Sequence, residues 1–154
     1  MKIISLFFVV LALFISGCAS VPIVQTPDTS KAKEFSPPSE GMAGVYLYRK
    51  SGVIGQALKK DLWIDGKCVG ETAPGVFFYA EVAGDQEHTI DTESEFSPNS
   101  LKIFFEAGKN YFIRQVIKMG FFVGGAKLEQ ISEEQGKIDV SFLPMAQPGK
   151  CSGN

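Results

Sequence analysis

Few residues in this chain are able to do chemistry. Its 154 residues include one histidine, His88, and three cysteines, Cys18, Cys68 and Cys151. A single histidine excludes a multi-His metal site, and a zinc site built from His88, Cys68 and Cys151 would still lack a fourth protein ligand. His88 could act as a general base toward a serine, but no Gly-x-Ser-x-Gly elbow or other nucleophile turn accompanies it. A histidine at a strand start more commonly hydrogen-bonds neighbouring backbone. Asp91, Glu93 and Glu95 share one face of an extended segment, which would suit a hard cation such as Ca²⁺. Three acids at period two also make a solvated strand edge that discourages pairing with another chain. The expectation is a protein without catalytic residues, metal or cofactor.

The remaining chemistry is that of recognition. Phe121-Phe122-Val123-Gly124-Gly125 pairs two large apolar side chains with a flexible turn, either as a hydrophobic lip for a ligand or as a hairpin bend with Phe122 in the core. Arg49, Trp63 and Arg114 on one sheet face would make a binding patch, or pack as ordinary cross-strand cation–aromatic neighbours. Arg49, His88, Tyr111, Arg114, Phe121 and Phe122 are thus the set from which a binding patch would be drawn. The chain carries a net charge of −2. Its Lys and Arg residues do not cluster, so a phosphate-tracking nucleic-acid binder is not expected.

The cysteines divide by position. Lys2 precedes an apolar stretch from Ile3 to Ile15, too short at about 1.5 Å per residue to span a bilayer of roughly 30 Å. The stretch ends in Ile15-Ser16-Gly17-Cys18, which resembles the bacterial lipobox. That resemblance implies cleavage between Gly17 and Cys18 and lipidation of Cys18, through which the protein would hold a membrane; a plain secretory signal or N-terminal anchor is the alternative. One acyl chain holds only marginally, so stable anchoring needs more than one. Ala19 and Ser20 follow, with no Asp to act as a retention signal, which in a Gram-negative cell implies the outer membrane, facing the periplasm. Export also places Cys68 and Cys151 in an oxidising space. They either form a disulfide that pins the tail, or Cys68 is a buried apolar residue and Cys151 is free.

The elements that would position these groups are strands. Residues 1–17 read as the signal peptide. Residues 18–40, with Pro22, Pro27, Pro37 and Pro38, read as a lipidated N-terminus and flexible tether, and residues 144–154 as a flexible tail. Between them, 41–143 holds Gly44 to Arg49, Leu62 to Ile64, Lys67 to Gly70, Val76 to Val82, Glu87 to Asp91, Leu101 to Phe105 and Tyr111 to Met119 as short alternating runs. Asp65-Gly66 between two of them fits a tight hairpin, because its central residues need positive φ. Val76, Phe78, Ala80 and Val82 share one strand face and Phe77, Tyr79 and Glu81 the other. Tyr111, Ile113, Gln115 and Ile117 likewise oppose Phe112, Arg114, Val116 and Lys118. Ala126 to Ile131 and Lys137 to Leu143 are further strand candidates. Between them Ser132, as N-cap, with Glu133-Glu134-Gln135 and Gly136 as a stop, predicts one helical turn. The fold class is all-β, an antiparallel sandwich of about seven strands, immunoglobulin- or transthyretin-like.

A strand ending in Arg49, the hairpin Trp63-Ile64-Asp65-Gly66-Lys67-Cys68-Val69-Gly70-Glu71, an aromatic strand, His88, and Ala107-Gly108-Lys109-Asn110-Tyr111-Phe112-Ile113-Arg114 together resemble an uncharacterised bacterial lipoprotein family, a domain of unknown function related to PEGA-type and transthyretin-like sandwiches. The family residues fall on Arg49, Asp65, Gly66, Gly70, His88, Gly108, Tyr111 and Arg114. Where relatives have a compact Pro-Gly-x-His turn, this chain reads Ala83-Gly84-Asp85-Gln86-Glu87-His88. The resemblance implies fold and location without an activity. The expected function is a lipid-anchored, non-catalytic binding or structural module with an envelope protein or peptidoglycan partner. The alternatives are a small-ligand carrier using the inter-sheet space and, third, a weak hydrolase using His88.

Overall fold

The computed structural model describes residues 17–93, 99–119 and 124–152. Among the described residues eight strands form two four-stranded sheets: β1 (Met42–Arg49), β2 (Lys60–Ile64), β3 (Lys67–Thr72), β4 (Val76–Ala83), β5 (Gln86–Thr92), β6 (Asn99–Phe105), β7 (Asn110–Lys118) and β8 (Gly125–Ile131). Their orders are β4-β1-β7-β8 and β3-β2-β5-β6. All pairings are antiparallel except β1 with β7, which run parallel from Gly44 beside Asn110 to Tyr48 beside Arg114. The all-β sandwich expected from the spacing is therefore present, with one strand more than anticipated and one parallel pair in its first sheet.

Period-two alternation places the side chains, and in the first sheet both faces are apolar. Ala43, Val45, Leu47, Val76, Phe78 and Ile113 face the second sheet and meet Leu62, Ile64, Ile90, Ile103 and Phe105 in the inter-sheet core. Tyr46, Tyr48, Phe77 and Phe112 point the other way, into a second cluster closed by Val140 and Leu143. The residue sets assigned to the two faces of β4 and β7 thus separate into two cores. Each is covered by a different layer.

The second core needs a cover, and the chain ends supply it. Lys137 to Leu143, read as a strand, instead belongs mostly to helix α2 (Glu133–Ser141), with α1 at Thr26–Ala32. The Ser132 side chain accepts the Gln135 amide hydrogen, as an N-cap should. Gly136, read as a stop, sits inside α2 because a Cβ there would collide with the Phe112 ring; the helix lies that close to the sheet. The tight approach explains why a poor helix former is tolerated in mid-helix.

Residues 18–40 and 144–152 are not free chain either, contrary to the tether and tail reading. Ala19 N–H donates to the Gln56 carbonyl at 2.8 Å, Val24 N–H to Met145 at 2.8 Å, and Gln147 N–H to Pro22 at 2.9 Å. Ile23 and Ala146 form an antiparallel bridge, and Met145 pairs with Phe77 on the β4 edge. Phe35 packs on Tyr46 and Phe112, and Asn110 Nδ2 donates to the Phe35 and Ser36 carbonyls. Proline-rich composition removes the donors of a central strand. It leaves an edge segment free to pair through its other groups.

The tail closes the open side of the sandwich between β4 and β3. Ala146 enters the inter-sheet core, Gly149 N–H donates to Val69 at 3.1 Å, and Cys151 is disulfide-bonded to Cys68. Beyond it, Ser152 donates from its amide at 2.7 Å and its hydroxyl at 2.8 Å to Oδ2 of Asp61, a fully buried carboxylate.

Candidate functional site

The six residues of the sequence-derived patch do not converge. They fall at opposite ends of the sandwich, and Phe121 and Phe122 lie outside the described residues, as does Glu95 of the acid trio. Trp63 stands in the second sheet while Arg49 and Arg114 stand in the first, so those three do not share a face.

At one end, short turns join β2 to β3, β4 to β5 and β6 to β7. Asp65 and Gly66 adopt φ of +49° and +73°, the left-handed pair that the hairpin requires. His88, 4% exposed, is held between two of these turns. Its Nδ1 lies 2.6 Å from Asp65 Oδ2, and its Nε2 donates to the Ala83 carbonyl at 2.8 Å. The ring stacks on Phe105, which in turn touches Tyr111. Tyr111 Oη accepts the Glu106 amide hydrogen at 2.8 Å. Burial pushes the Asp65 carboxyl up, but hydrogen bonds from the Thr89 amide and His88 outweigh it and hold the group below its ordinary range.

This arrangement ties turns together and leaves no ring nitrogen facing a hydroxyl nucleophile. Catalysis by a Ser-His-Asp constellation needs one nitrogen for the serine, and Ala83 occupies it. A cavity of about 420 Å³ beside His88, lined by Met42, Ile64, Asp65, Val69 and Val82, opens along the edge between β3 and β4.

The other end collects Arg49, Arg114 and the 50–59 loop. Arg49 is 3% exposed, and its guanidinium donates to the Gly55 and Leu58 carbonyls. Burial pulls its pKa down to about 10. Arg114 lies on the opposite face of the sheet, where it donates to Glu129 at 2.7 Å. The Glu129 carboxyl is held low by hydrogen bonds from Lys127 and Arg114. Lys50 reaches Asp139 at 3.0 Å, which also accepts from Tyr48 Oη at 2.8 Å and Gln135 Nε2 at 2.9 Å. Arg49, Arg114 and Lys50 thus each have a protein partner. A cavity of about 530 Å³ lies among Arg49, Arg114, Val53, Ile54 and Ile117.

Two features of this end escape sequence reading. Gln115 Nε2 donates to Thr92 Oγ1 at 2.7 Å while its Oε1 faces the Thr72 hydroxyl, so one buried amide bolts the two sheets together. Its signal was a lone polar residue on the apolar face of Tyr111, Ile113 and Ile117. Asp139 gave none, because its partners Tyr48 and Lys50 are remote in sequence. Of the cysteines, Cys18 is free and exposed. Among the described residues no three His, Cys, Asp or Glu side chains gather as a metal site; Asp91 accepts from Ser100, and Glu93 lies near Lys60.

Residues 39–126 match the model of a family described as a protein of unknown function (DUF2846), and the chain belongs to that family. An uncharacterized protein of Haemophilus influenzae is 56% identical over 135 residues, which cover 88% of this chain and 79% of that protein. No solved structure matches the chain.

Proposed function

We propose that this family member is a lipid-anchored envelope protein, attached through Cys18 to the outer membrane and facing the periplasm, where its sandwich serves as a non-catalytic binding or structural module of the PEGA or transthyretin-like kind. The observation that carries the reading is the division of its cysteines. Cys68 and Cys151 are joined to each other, a pairing typical of exported proteins. Cys18, free and exposed, directly follows the small pair Ser16-Gly17 and the short apolar stretch before it.

The competing readings have less support. Inter-sheet carriage needs room, yet Val45, Leu47, Leu62, Phe78, Ile90, Phe105 and Ile113 fill that space with at most 2% exposure. A His88 hydrolase needs a free ring nitrogen. The partner of such a module would be an envelope protein or peptidoglycan.

Feeding cells a clickable fatty acid tests the anchor: the wild-type chain should carry the label in the membrane fraction and Cys18→Ser should not. An unlabelled wild-type chain refutes the anchor. Co-sedimentation of the full chain with isolated peptidoglycan then separates the two partner classes.

A further inference from the structure

The end of the sandwich that carries the 50–59 loop exposes large apolar side chains. Val53 is 87% exposed, Ile54 56% and Met119 84%. Single exposed apolar residues are ordinary, but these three stand at the same end of the sandwich. Met119 follows the last residue of β7, and a Cβ added to Gly55 would touch Ile117 of the same strand. Leu58 lies against Gly124 at the start of β8. The loop is also held in shape, since the buried Arg49 fastens its Gly55 and Leu58 carbonyls and the Leu58 amide closes a turn onto Gly55.

The chain leading from Cys18 is fastened to this same loop. Ala19 N–H donates to the Gln56 carbonyl at 2.8 Å, so one peptide separates Cys18 from the loop and one residue, Gly55, separates Gln56 from Ile54. Chain reach then puts Ile54 within about 15 Å of Cys18. Exposed Lys118 stands beside Met119. A rigid apolar tip with a lysine at its rim, next to a lipid attachment point, matches the chemistry of a bilayer interface with anionic headgroups.

We propose that this end of the sandwich is a membrane-docking surface, with Val53, Ile54 and Met119 entering the headgroup boundary and Lys118 facing the phosphates. The proposal rests on lipidation of Cys18. The domain then lies against the bilayer instead of standing off on a tether, and the end with the Asp65, Asp85 and Lys109 turns points away. Strands of seven to nine residues separate the two ends by about 25 Å.

Single-site fluorescence tests the orientation. With Cys18 acylated and Cys68 bonded to Cys151, a cysteine introduced by Ile54→Cys, Met119→Cys or Lys109→Cys is the one free thiol, and all three positions are exposed. The full lipidated chain, carrying an environment-sensitive dye there, is reconstituted into phosphatidylethanolamine/phosphatidylglycerol vesicles containing nitroxide-labelled lipid. Dyes at 54 and 119 should shift to the blue and be quenched, while the dye at 109 should do neither. Equal, unquenched emission from all three positions on protein that floats with the vesicles overturns the docking surface and leaves the anchor standing. Protein that neither floats nor carries acyl chains refutes the anchor, and the docking surface with it. A dye at 54 that is shielded in whole cells but unquenched in vesicles assigns the loop to a protein partner, which also overturns the proposal.

Discussion

The two ends of the sandwich are built by different means. At the His88 end, neighbouring strands are joined by turns of a few residues, and polar side chains tie those turns together locally: Asp65 to Thr89, His88 to Asp65 and Ala83, and Asp85 to the Ala107 amide. At the Arg49 end the β1–β2 loop is long, and many of the restraints come from afar. Ala19 bonds to Gln56, Asp139 to Tyr48, and Ser152 to Asp61. Local restraints survive damage elsewhere in the chain. Remote ones fail together when the segments supplying them are released.

The largest test of that contrast is removal of the disulfide. Cys68 and Cys151 are 83 residues apart, and a bridge closing so long a loop contributes about 3–4.5 kcal/mol in the loop-entropy model. Cys151→Ala or reduction should lower the melting temperature. Hydrogen exchange should rise in residues 19–24, 50–59 and 145–152, and remain low in β5 and in the strands flanking the Asp65 turn. Uniform loosening of both ends would erase the distinction.

Arg49→Met comes next. It leaves the Gly55 and Leu58 carbonyls without their donor in a part-buried setting, which costs about 2–3 kcal/mol. Arg49→Lys should recover little of the loss, because an ammonium cannot present the fork that reaches both carbonyls. Urea unfolding measures the cost, and exchange in 50–59 localises it.

A pair of glycines compares the ends directly. A Cβ on Gly84 would run into the Ala107 backbone, whereas one on Gly52 meets nothing within 4 Å. Gly84→Ala should therefore destabilise by about 1–3 kcal/mol through overpacking, and Gly52→Ala should lie within about 0.5 kcal/mol of wild type. Equal effects would show that the turn end is less tightly closed than its geometry states.

The same difference governs what could be read in advance. Asp65-Gly66, the alternation of β4 and β7 and the Ser132 cap are local patterns, and the strands and hairpin they indicate are present. The tail and the 18–40 segment were misread because their prolines and serines signal absence of regular structure. Composition carries no information about the β4 edge waiting to receive Met145 or the aromatic face waiting for Phe35. The patch failed for a similar reason. Residue type groups Arg49 with Arg114, but strand parity turns them to opposite faces and burial commits Arg49 to backbone carbonyls.

Acid acts more gently, and on both ends. Asp65 has its carboxyl held below the ordinary value of 3.8 in the folded state. A depressed carboxylate stabilises the fold above its unfolded pKa, and that contribution is lost as the pH falls through the lower folded value. Melting temperature should thus vary little through this group from pH 7 to about 5, then fall below about 4. Asp65→Asn should flatten part of the acid limb, with Asp139 supplying another part since its carboxyl is also held low. An acid limb identical in Asp65→Asn and wild type would remove Asp65 from the account.

The smallest expected effect on stability bears most on function. Val53 is 87% exposed and Ile54 56% in the folded chain, so replacing both with serine removes little buried apolar area and should change unfolding free energy by no more than about 1 kcal/mol. An unchanged melting curve from this variant would mean that the fold does not require apolar side chains at the loop tip, although Arg49 still fixes the tip's shape. Their value would then lie in what the tip touches. A drop of 2 kcal/mol or so would instead assign them to packing in the cavity beside Arg114, and the Arg49 end would become a second, looser core.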